Sequence, residues 1–175
     1  MELTASMDAF IQHWGEMGAR WGINRTIAQI HALLFLSPNP LPAEEIAETL
    51  LVARSNVSNS LRELQNWNLA RIVHIKGDRR DHFTTLEDPW EIFVAISRQR
   101  FEREISPTIA TLERLAAESR KDRSTPPETA ARIAALSHFL TDVEGWYTRL
   151  KDFPRSAVVS LFKLASTLAP RKQQQ

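Results

Sequence analysis

The amino-acid sequence predicts a mostly α-helical protein with one small β-hairpin. Apolar residues recur three and four positions apart along most of the chain, which is the spacing of one face of a helix. One short segment alternates β-branched with polar residues instead, which is typical of a strand. Five glycines and one tyrosine are too few for a sheet-rich fold with many tight turns. We therefore expect helices to form most of the fold.

Length and composition narrow the class of protein. The 175 residues suffice for one buried core, or for a small domain with a helical extension. The formal net charge is only +1, so any binding to nucleic acid must depend on where the charges lie. The lack of cysteine excludes disulfides and thiolate metal sites. We recognise no secretion signal and no apolar run long enough to span a bilayer, and therefore expect a cytoplasmic protein without membrane contact.

The first two helices are predicted from apolar spacing. An amphipathic helix should end near Gly22, and we assign residues 1–22 to an N-terminal helical region. A second helix extends from Ile23 to Leu34 and is stopped by the proline-rich segment Ser37–Pro42, because proline cannot donate a hydrogen bond to a helix. Pro42 suits the first position of a third helix.

A turn at residues 51–53 leads into a polar-faced helix over Arg54–Trp67. Val57, Leu61 and Leu64 share one face of this helix. The opposite face is polar and almost free of acid, and its amide and guanidinium groups suit base edges and phosphates. The candidate DNA contacts on this helix are Arg54, Ser55, Asn56, Ser58, Asn59 and Arg62.

A basic hairpin follows this helix. Segments Ala70–Ile75 and Asp81–Leu86 are predicted strands, and Gly77-Asp78 marks the turn between them. The candidate DNA contacts at its tip are Lys76, Arg79 and Arg80. A helix-turn-helix followed by a basic hairpin is a winged helix-turn-helix pattern, which we assign to residues 23–87.

Residues 88–175 are predicted to form a C-terminal helical region. Asp88 and Pro89 suit the start of a helix, which Ser106-Pro107 should kink or restart. After a polar linker, apolar residues repeat at heptad spacing at Ile133, Leu136, Leu140, Val143, Tyr147 and Leu150. A last amphipathic helix has its apolar face at Val158, Leu161, Phe162, Ala165 and Leu168, before a frayed tail at residues 171–175. The heptad repeat suits either dimerisation or packing within one chain.

Three segments make the sequence specific: NRTIAQIHALLFLSPNPLPAEEIAETL, RSNVSNSLRELQNWNLARIVHIKGDRRDHF and EDPWEIF. They resemble the MarR-type winged helix-turn-helix regulators, and more narrowly the branch named after GbsR, a regulator of glycine betaine synthesis. The resemblance implies a homodimer that binds double-stranded DNA. Its terminal helices would form the dimer interface, its recognition helix would enter the major groove, and its wing would touch the backbone or minor groove.

Two positions depart from the family pattern. The turn before the recognition helix usually reads Gly-Val-Ser, whereas Leu51, Val52 and Ala53 stand here. The conformationally permissive glycine and the capping serine are both lost, and Ser55 is the candidate to supply the cap instead. The usual glycine near the end of the helix is Asn68, which tolerates the same left-handed conformation.

We expect some of the candidate DNA-contacting residues to bind base edges and others to bind phosphate. Asn59 and Arg62 suit base edges, or phosphate, whereas Arg54 near the helix start suits phosphate. The alternative for Asn59 and Arg62 is a solvated helix face. The alternative for Arg79 and Arg80 is an ion pair with Asp78 or Asp81.

A regulatory ligand is implied only by the resemblance, which suggests choline or a betaine as effector. Quaternary ammonium groups bind in aromatic cages. The aromatic residues that could contribute are Trp14, Trp21, Trp90, Trp146 and Tyr147. Each tryptophan lies on or beside an apolar stripe, so core packing is the stronger interpretation, and we name no ligand site.

We expect neither an enzyme, a cofactor nor a metal site. The five histidines are scattered, and no phosphate-binding glycine loop, nucleophile elbow or paired catalytic carboxylate motif is present. The predicted function is a DNA-binding transcriptional regulator, a ligand-responsive repressor that binds a pseudo-palindromic operator as a homodimer. The alternatives are a winged-helix module that binds protein, and a small-molecule carrier built on the helical half of the chain.

Overall fold

The computed structural model describes residues 1–150 and 153–168, with side chains at these positions except 150, 161–163 and 165–168. The helices and strands are α1 Ala5–Arg20, α2 Arg25–Leu36, β1 Leu41–Pro42, α3 Ala43–Leu50, α4 Arg54–Asn66, β2 Ala70–Val73, β3 His82–Thr85, α5 Pro89–Arg100, a π-helical segment Phe101–Ile105, α6 Ser106–Lys121, α7 Pro127–Leu150 and α8 Arg155–Leu168. The predicted mostly helical fold with a small hairpin is confirmed. The predictions for the side chains of Leu150, Leu161, Phe162, Ala165 and Leu168, and for the tail at 171–175, lie outside the described residues.

The chain divides into two compact units. The first unit is Met1–Ile96, and the second begins at Ser97. Among the described helices, none is both long and apolar enough to cross a bilayer.

The core of the first unit is built from large aliphatic side chains. Those almost fully shielded from solvent are Ile11, Ile30, Leu33, Ile46, Val57, Leu61 and Leu64. Helix α1 lies close against α2 because Gly18 has no side chain: a Cβ atom there would lie 2.5 Å from the Cβ atom of Ala28. Helix α1 is therefore part of the packing of the winged-helix unit, through Ile11 and the residues beside it.

The sheet has three antiparallel strands in the order β1-β3-β2, whereas the sequence predicted two. Leu41 pairs with Phe83 and Pro42 with His82, which makes Pro42 a strand residue and the N-cap of α3 rather than its first helical residue. The missed strand has only two residues, too few to show alternation, and proline is tolerated at a sheet edge. On the other side of β3, His82 pairs with Val73 of β2.

The second unit contains an α-helical hairpin of α6 and α7. The π-helical segment Phe101–Ile105 directly precedes α6, and it lies where the sequence predicted a kink around Pro107. A π-helical turn is one way for a helix to accommodate a missing backbone donor. Residues Ala116 and Ser137 are buried in this unit, and the ring of Phe101 stacks on that of Tyr147 at 4.2 Å between centroids.

Large apolar side chains of the hairpin stay exposed. Of the heptad positions, Leu136 is half exposed and the other described ones are only partly buried. Phe139 and Trp146 on the same helix are also half exposed, and Leu115 on α6 is exposed as well. Among the described residues of the hairpin, those that are buried are Ile109, Ala116 and Ser137.

Candidate nucleic-acid interface

The entry to α4 is built without the two residues that the family pattern would supply. Leu51 ends α3 and itself adopts the left-handed conformation, with φ of 54°. Ala53 is the N-cap of α4, and no side chain caps the helix there. Ser55 lies within the first turn of α4, so the expectation that Ser55 replaces the capping serine is wrong. A residue inside the helix cannot adopt the extended backbone that an N-cap requires.

Helix α4 buries one face and presents the other to solvent. Val57, Ser60, Leu61 and Leu64 are buried. The candidate contacts on the helix are all exposed, namely Arg54, Ser55, Asn56, Ser58, Asn59 and Arg62. The helix ends at Trp67, and Asn68 follows in the left-handed conformation with φ of 56°, as the sequence predicted. Helix α4 therefore packs an apolar face against the core and presents a polar ridge, the exposed residues from Ser55 to Arg62, to solvent.

Arg54 is paired within the domain. Its guanidinium forms an ion pair with Glu44, in the first turn of α3. A carboxylate also suits the first turn of a helix, where the helix dipole is positive. The contact of Glu44 with Arg54 was missed because residues 44 and 54 lie on different helices, and only the turn at Leu51 brings the two helix starts together.

The tip of the wing, residues 76–80, contains one paired arginine and two basic residues without an ion pair to any described residue. Gly77 forms the tip with φ of 91°. The side chain of Arg80 donates to Asp78, from Nε to Oδ1 and Oδ2 at 3.0 Å each, so the ion-pair alternative is observed for Arg80. This contact holds the pKa of the Asp78 carboxyl well below its usual range. Arg79 and Lys76 are exposed and form no ion pair with any described residue.

The pKa of Arg80 is raised, mainly by its contact with Asp78, and the charges of Glu44 and Glu45 in α3 add to this effect. Arg54 and Arg80 are thus the two paired arginines of the candidate site. The candidate cations without an ion pair to any described residue are Arg62 on the polar ridge, and Lys76 and Arg79 at the wing tip.

The aromatic residues considered for a ligand cage are distributed over both units. Trp14 stacks on Phe10, with ring centroids 5.6 Å apart, and Trp90 lies against Phe93. Trp146 and Tyr147 belong to the second unit. Within the described residues, no cluster of three or more histidine, aspartate or glutamate side chains is placed to hold a metal ion.

Comparison with known proteins assigns part of the first unit to a family. Residues 21–81 match the model of the MarR family. This segment is a MarR-family winged-helix domain. The resemblance that the recognition-helix and wing segments suggested is therefore confirmed.

The individual relatives that the whole chain matches are distant. YvaV of Bacillus subtilis is 23% identical over 151 residues, which cover 83% of this chain and 85% of YvaV. The HTH-type transcriptional repressor OpcR of the same organism is 22% identical, with 79% and 78% covered, and the HTH-type transcriptional repressor GbsR is 21% identical, with 65% and 63% covered. A crystal structure of a transcriptional regulator is similar in fold, with a TM-score of 0.62, 22% identity, and 83% of this chain and 95% of that chain covered.

Proposed function

We propose that this protein is a DNA-binding transcriptional repressor that binds a pseudo-palindromic operator as a homodimer. One observation carries the proposal: a MarR-family domain presents an exposed polar ridge on α4 and an exposed cationic wing tip. Its similarity to regulators and repressors from Bacillus subtilis supports the same conclusion. Such a repressor acts on cytoplasmic DNA and needs no cofactor.

The polar ridge supplies groups that can read base edges. An asparagine can pair bidentately with adenine and an arginine with guanine in the major groove. Asn59 and Arg62 are exposed, and Arg62 forms no ion pair with any described residue, so both are available for such contacts. The shorter side chains of Ser55, Asn56 and Ser58 suit phosphate oxygens or sugar groups near the helix.

The wing and the start of α4 supply phosphate contacts. Lys76 and Arg79 meet DNA as free cations, whereas Arg54 and Arg80 must first loosen their pairs with Glu44 and Asp78. Exposed ion pairs contribute only about 0–1 kcal/mol, so the phosphate backbone can compete for these guanidinium groups.

Dimerisation follows from the weakness of one module on DNA and from the apolar surface of the second unit. Two modules about one helical turn apart can read the two halves of a pseudo-palindrome. Leu136, Phe139 and Trp146 of α7 are about half exposed, which suits burial against a second copy of the chain.

The test is a titration of operator DNA from the region upstream of the gene, at several salt concentrations. Arg79→Ala should weaken binding to all sequences alike and reduce the salt slope by about one unit, because one phosphate contact is lost. Asn59→Ala should instead relax preference at one base pair, at a cost of about 1–3 kcal/mol. Arg123→Ala is the matched control, since Arg123 is an exposed arginine in the loop between α6 and α7.

The control should bind as well as the unmodified protein. If Arg79→Ala and Asn59→Ala also bind as well, the proposed docking of α4 and the wing is wrong. Binding that is neither sequence-specific nor salt-dependent would favour a winged-helix module that recognises protein.

A further inference from the structure

His82 is a buried polar residue where the tip of the wing joins the sheet. It begins β3, and its backbone is paired with Pro42 of β1 on one side and with Val73 of β2 on the other. The residue is only 4% exposed, whereas Arg79 and Arg80, which precede it at the tip, are exposed. The ring of His82 is therefore fixed by the sheet and cannot itself reach DNA.

The ring of His82 contacts the backbone of the wing tip. Its Nδ1 atom lies 3.0 Å from the carbonyl oxygen of Arg80. A carbonyl oxygen can only accept a hydrogen bond, so Nδ1 carries a proton and donates it. The Nε2 atom lies 3.5 Å from Oδ2 of Asp78, which is longer than an ordinary N–H···O hydrogen bond. The bond from Nδ1 is therefore the one that fixes the ring relative to the tip.

Both backbone polar groups of Arg80 are bonded to side chains. Its N–H donates to Oδ1 of Asp78 at 3.0 Å, and its carbonyl accepts from His82. The Arg80 side chain is 54% exposed and extends from this fixed backbone. Neither backbone bond uses the guanidinium, so both can persist when the guanidinium leaves the Asp78 carboxylate for a phosphate.

Anchoring the tip matters because the turn itself is permissive. Gly77 has φ of 91°, and glycine loses more conformational freedom on folding than other residues. Ordering a loop at the moment of binding lowers affinity, whereas a loop that is already ordered avoids that cost. A hydrogen bond from a buried ring is a contact that orders the tip before DNA arrives.

We propose that His82 is a positioning residue for DNA binding, whose Nδ1–H holds the backbone of Arg80 so that the guanidinium is presented to a DNA phosphate. His82 acts through Arg80 and does not touch DNA. This role rests on the proposed DNA-binding function, whereas the hydrogen bond between His82 and Arg80 does not.

The hydrogen bond is tested first on DNA-free, unmodified protein. Proton–nitrogen correlation NMR of the histidine rings should show a proton on Nδ1 of His82. This resonance should persist when operator DNA is added, because the backbone bond remains while the guanidinium changes partner. An Nδ1 atom without a proton, or a bond that is lost in the complex, would overturn the proposal.

Two variants of His82 separate its two ring nitrogens. His82→Asn places an amide N–H group near the position of Nδ1, whereas the longer side chain of His82→Gln places its amide nearer to that of Nε2. Arg80 holds the pKa of the Asp78 carboxyl well below its usual range, so this pKa reports on the order of the tip. The Asp78 pKa should rise towards its usual range in His82→Gln and stay low in His82→Asn.

His74→Phe is the matched control for these NMR measurements, since His74 is an exposed histidine at the end of β2. It should leave the pKa of the Asp78 carboxyl low. A folded His82→Gln protein in which the Asp78 pKa also stays low would contradict the anchoring role. If neither His82 variant folds, the persistence of the Nδ1 resonance in unmodified protein with operator decides the matter.

Operator titration at several salt concentrations tests the effect on DNA binding. His82→Gln should weaken binding several-fold and reduce the salt slope by about one unit, as Arg80→Ala does, because the same phosphate contact is lost. His82→Asn should bind like the unmodified protein. Equal salt slopes in the Asn and Gln variants would show that the Nδ1 donor is not what positions Arg80.

Combining the changes tests whether His82 acts through Arg80. The double variant of Arg80→Ala and His82→Gln should bind operator no more weakly than Arg80→Ala alone. A further loss in the double variant would mean that His82 affects DNA by another route, and would refute the proposal. If the unmodified protein binds no DNA at all, the proposed function fails, and the NMR measurements still show whether His82 anchors the tip.

Discussion

The two units of the chain differ in what they bury. In the first unit, large aliphatic side chains such as Leu61 and Ile30 are almost completely shielded. In the second, Ile109, Ala116 and Ser137 are buried, but the large side chains of Phe139 and Trp146 remain half exposed. The first unit thus makes its own core, and the apolar surface of the second needs something beyond the α6–α7 hairpin to cover it. A second copy of the chain is the partner that the proposed function supplies.

The largest expected effect is on the core of the first unit. Leu61→Ala should lower the free energy of unfolding by about 2–5 kcal/mol, because it leaves a cavity beneath α4. Phe139→Ala in α7 removes a larger side chain, but Phe139 is 55% exposed, so unfolding of the isolated chain should change by less. Urea unfolding followed by circular dichroism at low protein concentration measures both.

The comparison would fail if the two variants were equally destabilised at low concentration. That result would mean that the exposed face of α7 is already covered within one chain.

The second-largest expected effect is on how the free energy of unfolding depends on pH, through the buried His31. The unfolded chain binds a proton at His31 below its ordinary pKa of 6.5, whereas the folded unit does so only near pH 4. The unfolded state therefore holds more protons between these values, and stability should fall as pH falls, by up to about 3 kcal/mol. Unfolding of the unmodified protein and of His31→Phe at pH 7 and pH 4.5 isolates this contribution.

The pH dependence should be weaker in His31→Phe than in the unmodified protein. Identical profiles would show that His31 is not shielded from solvent as described. Because the effect belongs to the first unit, it should not depend on protein concentration.

The third effect is on self-association. Phe139→Ser places a polar group on the exposed apolar face of α7 and should raise the dimer dissociation constant by about tenfold or more, since a buried aromatic anchor is lost. Ser137, two residues earlier, is buried within the hairpin, so only the outer face is altered. Sedimentation velocity over a range of concentrations measures the change.

Glu128→Ser is a suitable control, since Glu128 is an exposed residue in the first turn of the same helix. If Phe139→Ser dimerises as strongly as the control, the apolar face of α7 is not part of the dimer interface.

The sequence predicted the parts of this molecule that depend on local periodicity. The buried face of α4 at Val57, Leu61 and Leu64 is of this kind. It did not predict strand β1, which is defined by a partner forty residues further along the chain. Nor did it predict the pair of Arg54 with Glu44, because that pair brings together separate helices. Contacts between elements have no periodic signature in one sequence.

The smallest expected effect is at the turn before α4. Leu51 is 91% exposed and has φ of 54°, a conformation that costs a non-glycine residue about 1–2 kcal/mol. Leu51→Gly should relieve this strain, but glycine also loses more backbone entropy on folding, by about 0.5–1 kcal/mol. We expect a net gain of up to about 1 kcal/mol in the free energy of unfolding, measured by urea titration.

Asn68→Gly is the matched control for this turn. Asn68 has φ of 56°, but asparagine tolerates the left-handed region, so its replacement should gain less than that of Leu51. Both changes lie in the first unit, so neither should alter the dimer dissociation constant set by α7. A gain at Leu51 that also strengthened dimerisation would mean that the units are not energetically separate. If Leu51→Gly destabilised the protein instead, the leucine side chain would be making a stabilising contact with another molecule, since it is exposed in the single chain.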